Sequence, residues 1–298
     1  MKRSDALLQE VVAAVAERFQ AADLCYGHGT DNAWDEAAWL VLHRAGLPLD
    51  ADVPADSLIS AAQQADILEI AKQRMDRRVP LAYLLQSAWF AGLPFYINSE
   101  VLVPRSPMAE YIEDGLSYWL DGVANPRLLD LCTGSGCIGV SAAVYIPDST
   151  VYLSDISDTA LQIAQRNVND YGLAQRVHCI HSDLFAAIPE GQRFDLIICN
   201  PPYVDKAEMQ ALSPEFCAEP RLGLAAGEDG LDLVHRILSD APHYLHDNGV
   251  LMLEVGNSAP ALEQAYPGHA FCWLSFERGG DGVCVLRYAD LVALNPKI

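Results

Sequence analysis

The stretch Asp130-Leu131-Cys132-Thr133-Gly134-Ser135-Gly136-Cys137-Ile138-Gly139 ends an apolar run that starts at Arg127 and leads into a helical pattern. A strand that passes through glycines into a helix lets a ligand approach bare backbone near the helix N-terminus. Gly134, Gly136 and Gly139 also have the G-x-G-x-x-G spacing of dinucleotide-binding domains. This stretch therefore predicts a nucleotide-type cofactor site on an open α/β sheet.

Strand and helix patterns alternate around this loop from about residue 108 to the end of the chain. Such alternation is typical of a parallel sheet that helices cover on both faces. The last two apolar runs flank a glycine-rich turn and predict a closing hairpin. The sequence thus predicts an α/β fold with seven strands, at 127–131, 151–154, 177–180, 194–199, 249–254, 271–274 and 283–288.

The first part of the chain has a different pattern. Leu7, Leu8, Val11, Val15 and Phe19 recur at helical spacing, and two further helices are expected, one capped by Asp31 and one by Asp56. Short β-like runs follow at 89–90, 95–97 and 101–103, and an amphipathic helical pattern covers 108–120. The expected organisation is a helical domain over residues 1–86, a connecting β-hairpin over 87–107 and a catalytic domain over 108–298.

Asp130 favours one cofactor over another, because it lies four residues before the first glycine. A carboxylate there is unfavourable beside a pyrophosphate but favourable beside an ammonium and a sulfonium group. S-adenosylmethionine is therefore favoured, and a nicotinamide dinucleotide stays open as the alternative. Asp155, at the end of the next strand, can accept the ribose hydroxyls, and Asp183, after the third strand, can accept an adenine amino group. The expected cofactor residues are Asp130, Cys132, Thr133, Gly134, Ser135, Gly136, Asp155, Asp183, Leu184 and Asn200.

The motif Asn200-Pro201-Pro202-Tyr203 directly follows the apolar strand that ends at Cys199. Methylation of a planar amino group requires its delocalised nitrogen to be held and turned towards the methyl donor. The Asn200 side-chain oxygen and the Pro201 carbonyl can each accept one N–H, while Tyr203 supplies an aromatic wall. The expected catalytic residues are therefore Asn200, Pro201, Pro202 and Tyr203.

Composition limits the partners. The 40 acidic and 19 Lys and Arg side chains leave a formal net charge of −21. A protein that binds duplex nucleic acid neutralises phosphates with basic side chains, so direct DNA binding is not expected, whereas a basic protein would be attracted. No apolar run reaches about 18 residues, which argues against a membrane span and for a soluble, cytoplasmic protein. The eight cysteines form no C-x-x-C pair and no His stands at metal-finger spacing, so reduced thiols and no metal site are expected.

Together, the glycine loop and Asn200-Pro201-Pro202-Tyr203 resemble the amino-methyltransferases, which include DNA adenine-N6 enzymes and HemK-type protein glutamine methyltransferases. The flanking stretches 101–107 and 219–231 are similar to those of the HemK-type group, and the resemblance covers essentially the whole chain. It implies a Rossmann-like class I S-adenosylmethionine-dependent methyltransferase sheet, with an N-terminal helical domain that recognises the substrate. In the related release-factor enzyme a Trp near the adenine aligns with Leu184, so the resemblance implies no aromatic stacking at this position.

Within that family the stretches 26–36 and 88–90 look like the PrmB branch, which methylates a glutamine of the third large-subunit ribosomal protein. The implied substrate is a basic ribosomal protein, free or in an assembling ribosome. Three alternatives stay open: a release-factor glutamine methyltransferase, a DNA adenine-N6 methyltransferase and a non-catalytic ribosome-assembly factor. The roles of Arg105, His28 and Glu254 are left unassigned.

Overall fold

The computed structural model describes residues 5–294, which form two compact units. The helical unit comprises residues 5–88, Ile97–Ser99 and Leu212–Ala218, whereas the sheet unit comprises Trp89–Tyr96, Glu100–Ala211 and residues 219–294. Seven residues far along the chain thus belong to the unit that begins near the N-terminus. Within residues 5–294, no helix is both long and apolar enough to cross a membrane.

The helices and strands alternate through most of the chain. The helices are α1 (Leu8–Ala21), α2 (Ala33–Ala45), α3 (Ala61–Arg77), α4 (Leu81–Leu85), α5 (Ala109–Glu113), α6 (Ser117–Leu120), α7 (Cys137–Tyr145), α8 (Asp158–Asp170), α9 (Lys206–Ala211), α10 (Pro214–Cys217), α11 (Asp232–Asp240), α12 (Ala259–Ala265) and α13 (Tyr288–Leu294). The strands are β1 (Ala6–Leu7), β2 (Leu58–Ile59), β3 (Ser87–Phe90), β4 (Leu93–Tyr96), β5 (Arg127–Leu131), β6 (Thr150–Asp155), β7 (Val177–His181), β8 (Phe194–Cys199), β9 (Leu245–Glu254), β10 (Cys272–Trp273) and β11 (Val283–Arg287).

Two helix starts in the helical unit differ from the expected ones. Asn32, rather than Asp31, caps α2, because its side chain accepts a hydrogen bond from the Asp35 N–H. The helix expected after Pro54 starts only at Ala61, where Ser60 and Gln63 form a reciprocal capping box. Before it, Asp56 lies in a turn that leads into β2, which pairs with β1, so Asp56 caps no helix.

The sheet unit contains a seven-stranded sheet in the order β10-β11-β9-β8-β5-β6-β7. The five strands from β9 to β7 pair in parallel, and β11 and β10 join them antiparallel as a closing hairpin. This arrangement confirms the expected α/β class with seven strands. Expected and observed bounds coincide at β5 and β8 and differ elsewhere by a few residues at the strand ends.

Successive residues of the central strands enter two separate apolar clusters, one on each face of the sheet. Leu128 and Leu196 belong to the first cluster, and Leu129 and Ile197 belong to the second. Side chains alternate between the faces of a strand, so both faces are buried and the strands read as continuous apolar runs. Burial on both faces stabilises the sheet, and the loops that form the site follow its strands.

Two expected elements of the sheet unit differ. Residues 101–103 form no strand; the Val103 N–H donates to the Glu219 Oε1 at 3.0 Å instead of to a neighbouring strand. The amphipathic pattern over 108–120 is divided into α5 and α6, because Gly115 and Leu116 adopt left-handed φ angles of 67° and 55°. A hydrophobic spacing alone gives no sign of such a break.

Candidate cofactor and substrate site

A cavity of about 380 Å³ lies in the sheet unit at the carboxyl ends of β5, β6, β7 and β8. Ligands bind to open α/β sheets at this edge, because the loops that follow the strands converge there. Seven of the expected site residues line the cavity, namely Cys132, Gly134, Asp155, Asp183, Leu184, Asn200 and Pro202. The other expected residues, Asp130, Thr133, Ser135, Gly136, Pro201 and Tyr203, are not among its lining residues.

The glycine loop is held together by Asp130. Its Oδ2 accepts hydrogen bonds from the Thr133 Oγ1 at 2.5 Å and from the Gly139 N–H at 2.9 Å. A Cβ on Gly139 would lie 2.2 Å from the Leu153 Cδ2, so this glycine allows close packing of helix and strand. A Cβ on Gly134 would meet no atom within 4 Å, so the loop backbone is open where it lines the cavity.

Asp130 is 1% exposed, and its Oδ1 has no hydrogen-bond partner among the described residues. Burial disfavours the charged form and raises the pKa of this carboxyl group to about 7, although the bonds from Thr133 and Gly139 oppose the shift. Asp130 therefore holds the loop through its Oδ2, and its buried Oδ1 is left as a hydrogen-bond acceptor without a partner among the described residues.

Asp155 joins the loops that follow β5 and β6. Its Oδ2 accepts from the Gly134 N–H and its Oδ1 from the Ser157 N–H, both at 2.9 Å. Burial raises the pKa of this carboxyl group, and the backbone hydrogen bonds lower it. Since each carboxylate oxygen has two acceptor positions, both can still accept a ligand hydroxyl. The cap of α8 is Ser157, whose side chain accepts from the Ala160 N–H.

Asp183 forms an ion pair that the sequence analysis missed. Its Oδ1 lies 2.9 Å from the Arg236 Nη2, and both residues line the cavity with about half of each side chain exposed. Arg236 lies on α11, whose apolar face is buried through Val234, Ile237 and Leu238. Arg236 is a basic residue on the polar side of this helix, in a chain with few Lys and Arg side chains. That position is the sequence signal that could have identified Arg236 as a site residue.

Cys132 and Leu184 line the cavity with unusual backbone angles. Their φ values are 57° and 50°, in the left-handed region that side chains other than Gly seldom adopt. Residues held in such conformations cost free energy and cluster at ligand sites. The sequence gives no indication of these angles, because neither position carries Gly or Asn.

Asn200 and Pro202 reach the cavity, whereas Tyr203 is fixed by other groups. The Tyr203 hydroxyl donates to the Glu254 Oε1 at 3.1 Å, and its backbone oxygen accepts from the Ser258 Oγ at 2.9 Å. The ring packs on Gly256, where a Cβ would come within 2.5 Å of it. Burial and the neighbouring Glu254 carboxyl raise the pKa of the Tyr203 hydroxyl far above its usual range, so it stays protonated at neutral pH.

Part of the cavity lining comes from two stretches in which the sequence predicted no site residue. Glu100–102 and part of 220–223 line it, with Leu222 61% exposed. Arg105 links these stretches, because its guanidinium binds both carboxylate oxygens of Glu219, at 2.6 and 2.9 Å. Paired, planar contacts of this kind are specific in geometry. Arg105 is thus a structural partner of Glu219.

The chain matches the family model of the methyltransferase small domain over residues 116–266. The structure is similar to the catalytic domain of hMettl16 solved in complex with the MAT2A 3'UTR hairpin 6, with a TM-score of 0.52 at 15% identity, covering 78% of this chain and 85% of that one. This likeness concerns the fold.

Closer relatives are known by sequence. The ribosomal protein uL3 glutamine methyltransferase of Francisella tularensis subsp. tularensis (strain SCHU S4) is 45% identical over 274 residues, which cover 91% of this chain and 87% of that protein. The protein of the same name from Bordetella pertussis (strain Tohama I) is 42% identical, covering 95% and 96%. Identity at this level over nearly whole chains confirms the resemblance that the motifs carried. The chain belongs to the family of ribosomal protein uL3 glutamine methyltransferases.

Proposed function

We propose that the protein transfers a methyl group from S-adenosylmethionine to the side-chain amide nitrogen, N5, of a glutamine in ribosomal protein uL3. The observation that carries this proposal is that Asn200, which opens the Asn200–Tyr203 motif, lines the same cavity as the glycine loop and the two acidic residues. A methyl donor and an amide acceptor can therefore meet at one place. The names of the most similar relatives support the choice of glutamine and of uL3.

The residues around the cavity fit S-adenosylmethionine. The cavity volume of about 380 Å³ lies in the range of small-molecule sites. The Asp155 oxygens can accept the ribose hydroxyls, Asp183 can accept the adenine amino group, and the open backbone at Gly134 admits close approach. Asp130 supports this site by holding the glycine loop, through the hydrogen bonds from the Thr133 hydroxyl and the Gly139 N–H. S-adenosylmethionine, when bound, supplies an electrophilic methyl group.

The chain's own residues act on the substrate amide by orientation. The Asn200 Oδ1 and the Pro201 carbonyl oxygen each accept one N–H, which holds the nitrogen and strengthens as it becomes more positive. Pro201 restricts Asn200 to extended backbone, and Pro201 itself has a fixed φ, so both acceptors are preorganised. The aromatic ring of Tyr203 forms a wall beside the flat amide.

No general base is required before the transfer, because the amide proton becomes acidic only once the nitrogen has gained the methyl group. The raised pKa of Tyr203 supports this view, because a protonated phenol that donates to Glu254 is unsuited to accept a proton. The role of the motif is therefore to orient the amide and stabilise the developing positive charge.

The helical unit, together with the net charge of −21, is proposed to recruit the substrate. Ribosomal proteins bind RNA through basic side chains, so an acidic enzyme attracts uL3 and repels nucleic acid. We place the reaction in the cytoplasm, on uL3 that is free or in an assembling ribosome, and expect no direct DNA or membrane partner.

The test is to incubate the protein with isotopically labelled S-adenosylmethionine and four substrates in parallel. These are purified uL3, large subunits from cells that lack the enzyme, a release factor and plasmid DNA. Transfer of one labelled methyl group to one glutamine of uL3, located by tandem mass spectrometry, is expected. Label on the release factor or on DNA would overturn the proposal, and no transfer to any substrate would favour an assembly factor without catalysis.

The variant Asn200→Ala provides the matched test of the site. We expect kcat to fall on the order of 100-fold or more, because one of the two acceptors for the amide N–H groups is lost. The dissociation constant of S-adenosylmethionine, measured by calorimetry, should change little. Full activity of this variant would refute the orientation mechanism without bearing on the identity of the substrate.

A further inference from the structure

The four strands whose carboxyl ends carry the cavity lie in the order β8-β5-β6-β7. Neighbouring strands are about 4.8 Å apart, so the ends of β8 and β7 lie roughly 14 Å apart. Asn200 follows β8 and Asp183 follows β7, which places them at opposite ends of the cavity that both residues line. The proposed methyl transfer takes place at the β8 end. The β7 end is therefore left for the adenine, the part of S-adenosylmethionine farthest from its methyl group.

The Asp183 side chain is held differently from that of Asp155. Both carboxylate oxygens of Asp155 accept hydrogen bonds from backbone N–H groups, at 2.9 Å each. In Asp183 it is the backbone oxygen that accepts from an N–H group, that of Ala186. Among the described residues, the only hydrogen bond or ion pair of the Asp183 carboxylate is the contact of its Oδ1 with the Arg236 Nη2, at 2.9 Å. The direction of the Asp183 side chain thus depends on Arg236.

Arg236 reaches the cavity from a helix that the core holds in place. Arg236 and Leu233 are three residues apart on α11, so they lie on one face of the helix, and both line the cavity. Buried side chains on the other side of α11 anchor it, namely Val234, Ile237 and Leu238. Within residues 5–294, Arg236 is the one basic side chain that lines this cavity. The helix therefore presents a single guanidinium group from a fixed base.

A guanidinium group in this cavity is unexpected from charge alone. S-adenosylmethionine carries a sulfonium and an ammonium group, and an unpaired cation nearby would repel both. The ion pair with Asp183 offsets the charge of Arg236 and occupies one of the two carboxylate oxygens. The Asp183 Oδ2 keeps its acceptor positions, and the adenine amino group is an N–H donor that such an oxygen can bind. The pair thus presents an oriented acceptor at the β7 end without adding net charge.

We propose that Arg236 is a positioning residue for the cofactor, which holds the Asp183 carboxylate so that its Oδ2 accepts from the amino group of adenine. This proposal rests on the proposed function and deepens it, because it states how the base of S-adenosylmethionine is selected. Without the guanidinium group, the half-exposed Asp183 side chain rotates and binds water. Adenine is then no longer favoured over a purine that lacks the amino group.

The test measures binding, with two ligands that differ at one group. The first is S-adenosylhomocysteine, which keeps the adenosine part of the cofactor, and the second is its analogue with hydrogen in place of the adenine amino group. By calorimetry, we expect the wild type to bind S-adenosylhomocysteine about tenfold more tightly than the analogue and Arg236→Met to bind it only about twofold more tightly, because the variant loses the hydrogen bond to a held carboxylate. The thermal midpoint of the ligand-free protein should change little, since about half of each side chain of the pair is exposed.

Two further variants show whether Arg236 acts through Asp183. Arg236→Lys keeps the charge and a donor, so its preference for S-adenosylhomocysteine should stay within about twofold of the wild-type value. In the background of Asp183→Ala, adding Arg236→Met should not weaken the binding of S-adenosylhomocysteine further, since the carboxylate is already absent. The matched control is Arg44→Met, which breaks an equally exposed ion pair in the helical unit and should leave both dissociation constants unchanged.

The preference for the amino group separates positioning from packing. If Arg236→Met keeps the wild-type ratio of the two dissociation constants, the positioning role is overturned, even where both constants rise together. A wild type that binds the two ligands equally well would also overturn it. If the wild type shows the expected preference but fails to methylate uL3, the proposed function fails and the role of Arg236 stands.

Discussion

Asp130 shows, at the scale of one residue, a carboxyl group that organises a loop at the expense of stability. It receives two hydrogen bonds on one oxygen, yet burial raises its pKa from 3.8 to about 7. In the unfolded chain the same group ionises near its ordinary value. The native state therefore holds a proton that the unfolded state has lost between about pH 4 and pH 7.

This difference makes the stability of the protein depend on pH through Asp130. The contribution of Asp130 to stability is fully present below about pH 4 and is lost as the pH rises to 7, at about 1.4 kcal/mol per pH unit and on the order of 4 kcal/mol in all. In urea unfolding at several pH values, Asp130→Asn should thus gain stability relative to the wild type as the pH rises. The exposed control Asp247→Asn should follow the wild-type profile. Parallel profiles for wild type and Asp130→Asn would contradict the assigned shift.

Single residues also mark the limit of sequence reasoning at the site. Asp155, Asp183 and Asn200 were found from their places after strands, since strand ends converge at one edge of a parallel sheet. Arg236 was missed because the contact with Asp183 joins residues more than 50 positions apart. Glu254 was seen at a strand end, but its hydrogen bond from Tyr203 joins residues 51 positions apart, which no local pattern encodes.

At the scale of the element, α3 and α10 are joined by buried charge within the helical unit. The Arg74 side chain, 1% exposed, lies 2.6 Å from the Glu36 Oε1 and 3.2 Å from the Oε1 of Glu215, and its Nη2 donates to the Cys25 carbonyl. The Arg78 Nε also lies 2.7 Å from the Glu215 Oε1. This cluster fixes α10 in a unit whose other residues lie more than 100 positions earlier in the chain.

We therefore expect Arg74→Met to lower the free energy of unfolding by about 3–5 kcal/mol, because it leaves buried carboxylates without their main partner. The matched control is Arg44→Met, which breaks an ion pair with Asp66 whose side chains are 39% and 44% exposed. Its cost should stay below about 1 kcal/mol. Urea unfolding followed by circular dichroism measures both. Equal losses in the two variants would show that the buried cluster adds nothing beyond a surface pair.

The elements also differ in how well the sequence predicted them. The bounds of β5 and β8 were predicted correctly because both strands are buried on both faces and a glycine or proline follows each within three residues. Helix starts were less certain, since Asn32 and Asp31, or Ser60 and Asp56, are equally suited to capping by type. Only the side chain three residues later, Asp35 or Gln63, and the preceding extended pairing decide between them.

The whole molecule carries a net charge of −21, which acts at distances where individual contacts do not. Attraction of a basic substrate raises the association rate and is screened by salt, with a Debye length that falls from about 10 Å at 0.1 M to 3 Å at 1 M. The chemical step, which takes place inside the cavity, is screened far less. The net charge should therefore affect kcat/KM, which includes the capture of substrate, and have little effect on kcat.

We accordingly expect kcat/KM for uL3 to fall about tenfold between 50 and 300 mM salt, while kcat changes little. Steady-state methylation at several salt concentrations measures both quantities. A short uncharged peptide around the target glutamine serves as the control, because its kcat/KM should depend only weakly on salt. A kcat/KM for uL3 that is independent of salt would show that long-range attraction does not contribute to substrate recognition.

The placement of Glu215 in the helical unit also has a consequence for how the protein is made. Arg74 and Glu215 are 141 residues apart in the chain, so Arg74 is synthesised long before this second carboxylate partner. At about 5–20 residues per second, the interval is roughly 7–28 s. During that time Arg74 of the nascent helical unit has one native carboxylate partner, Glu36, and lacks the second, Glu215. The unit that emerges first from the ribosome is thus completed late, and chaperones have a defined interval in which to hold it.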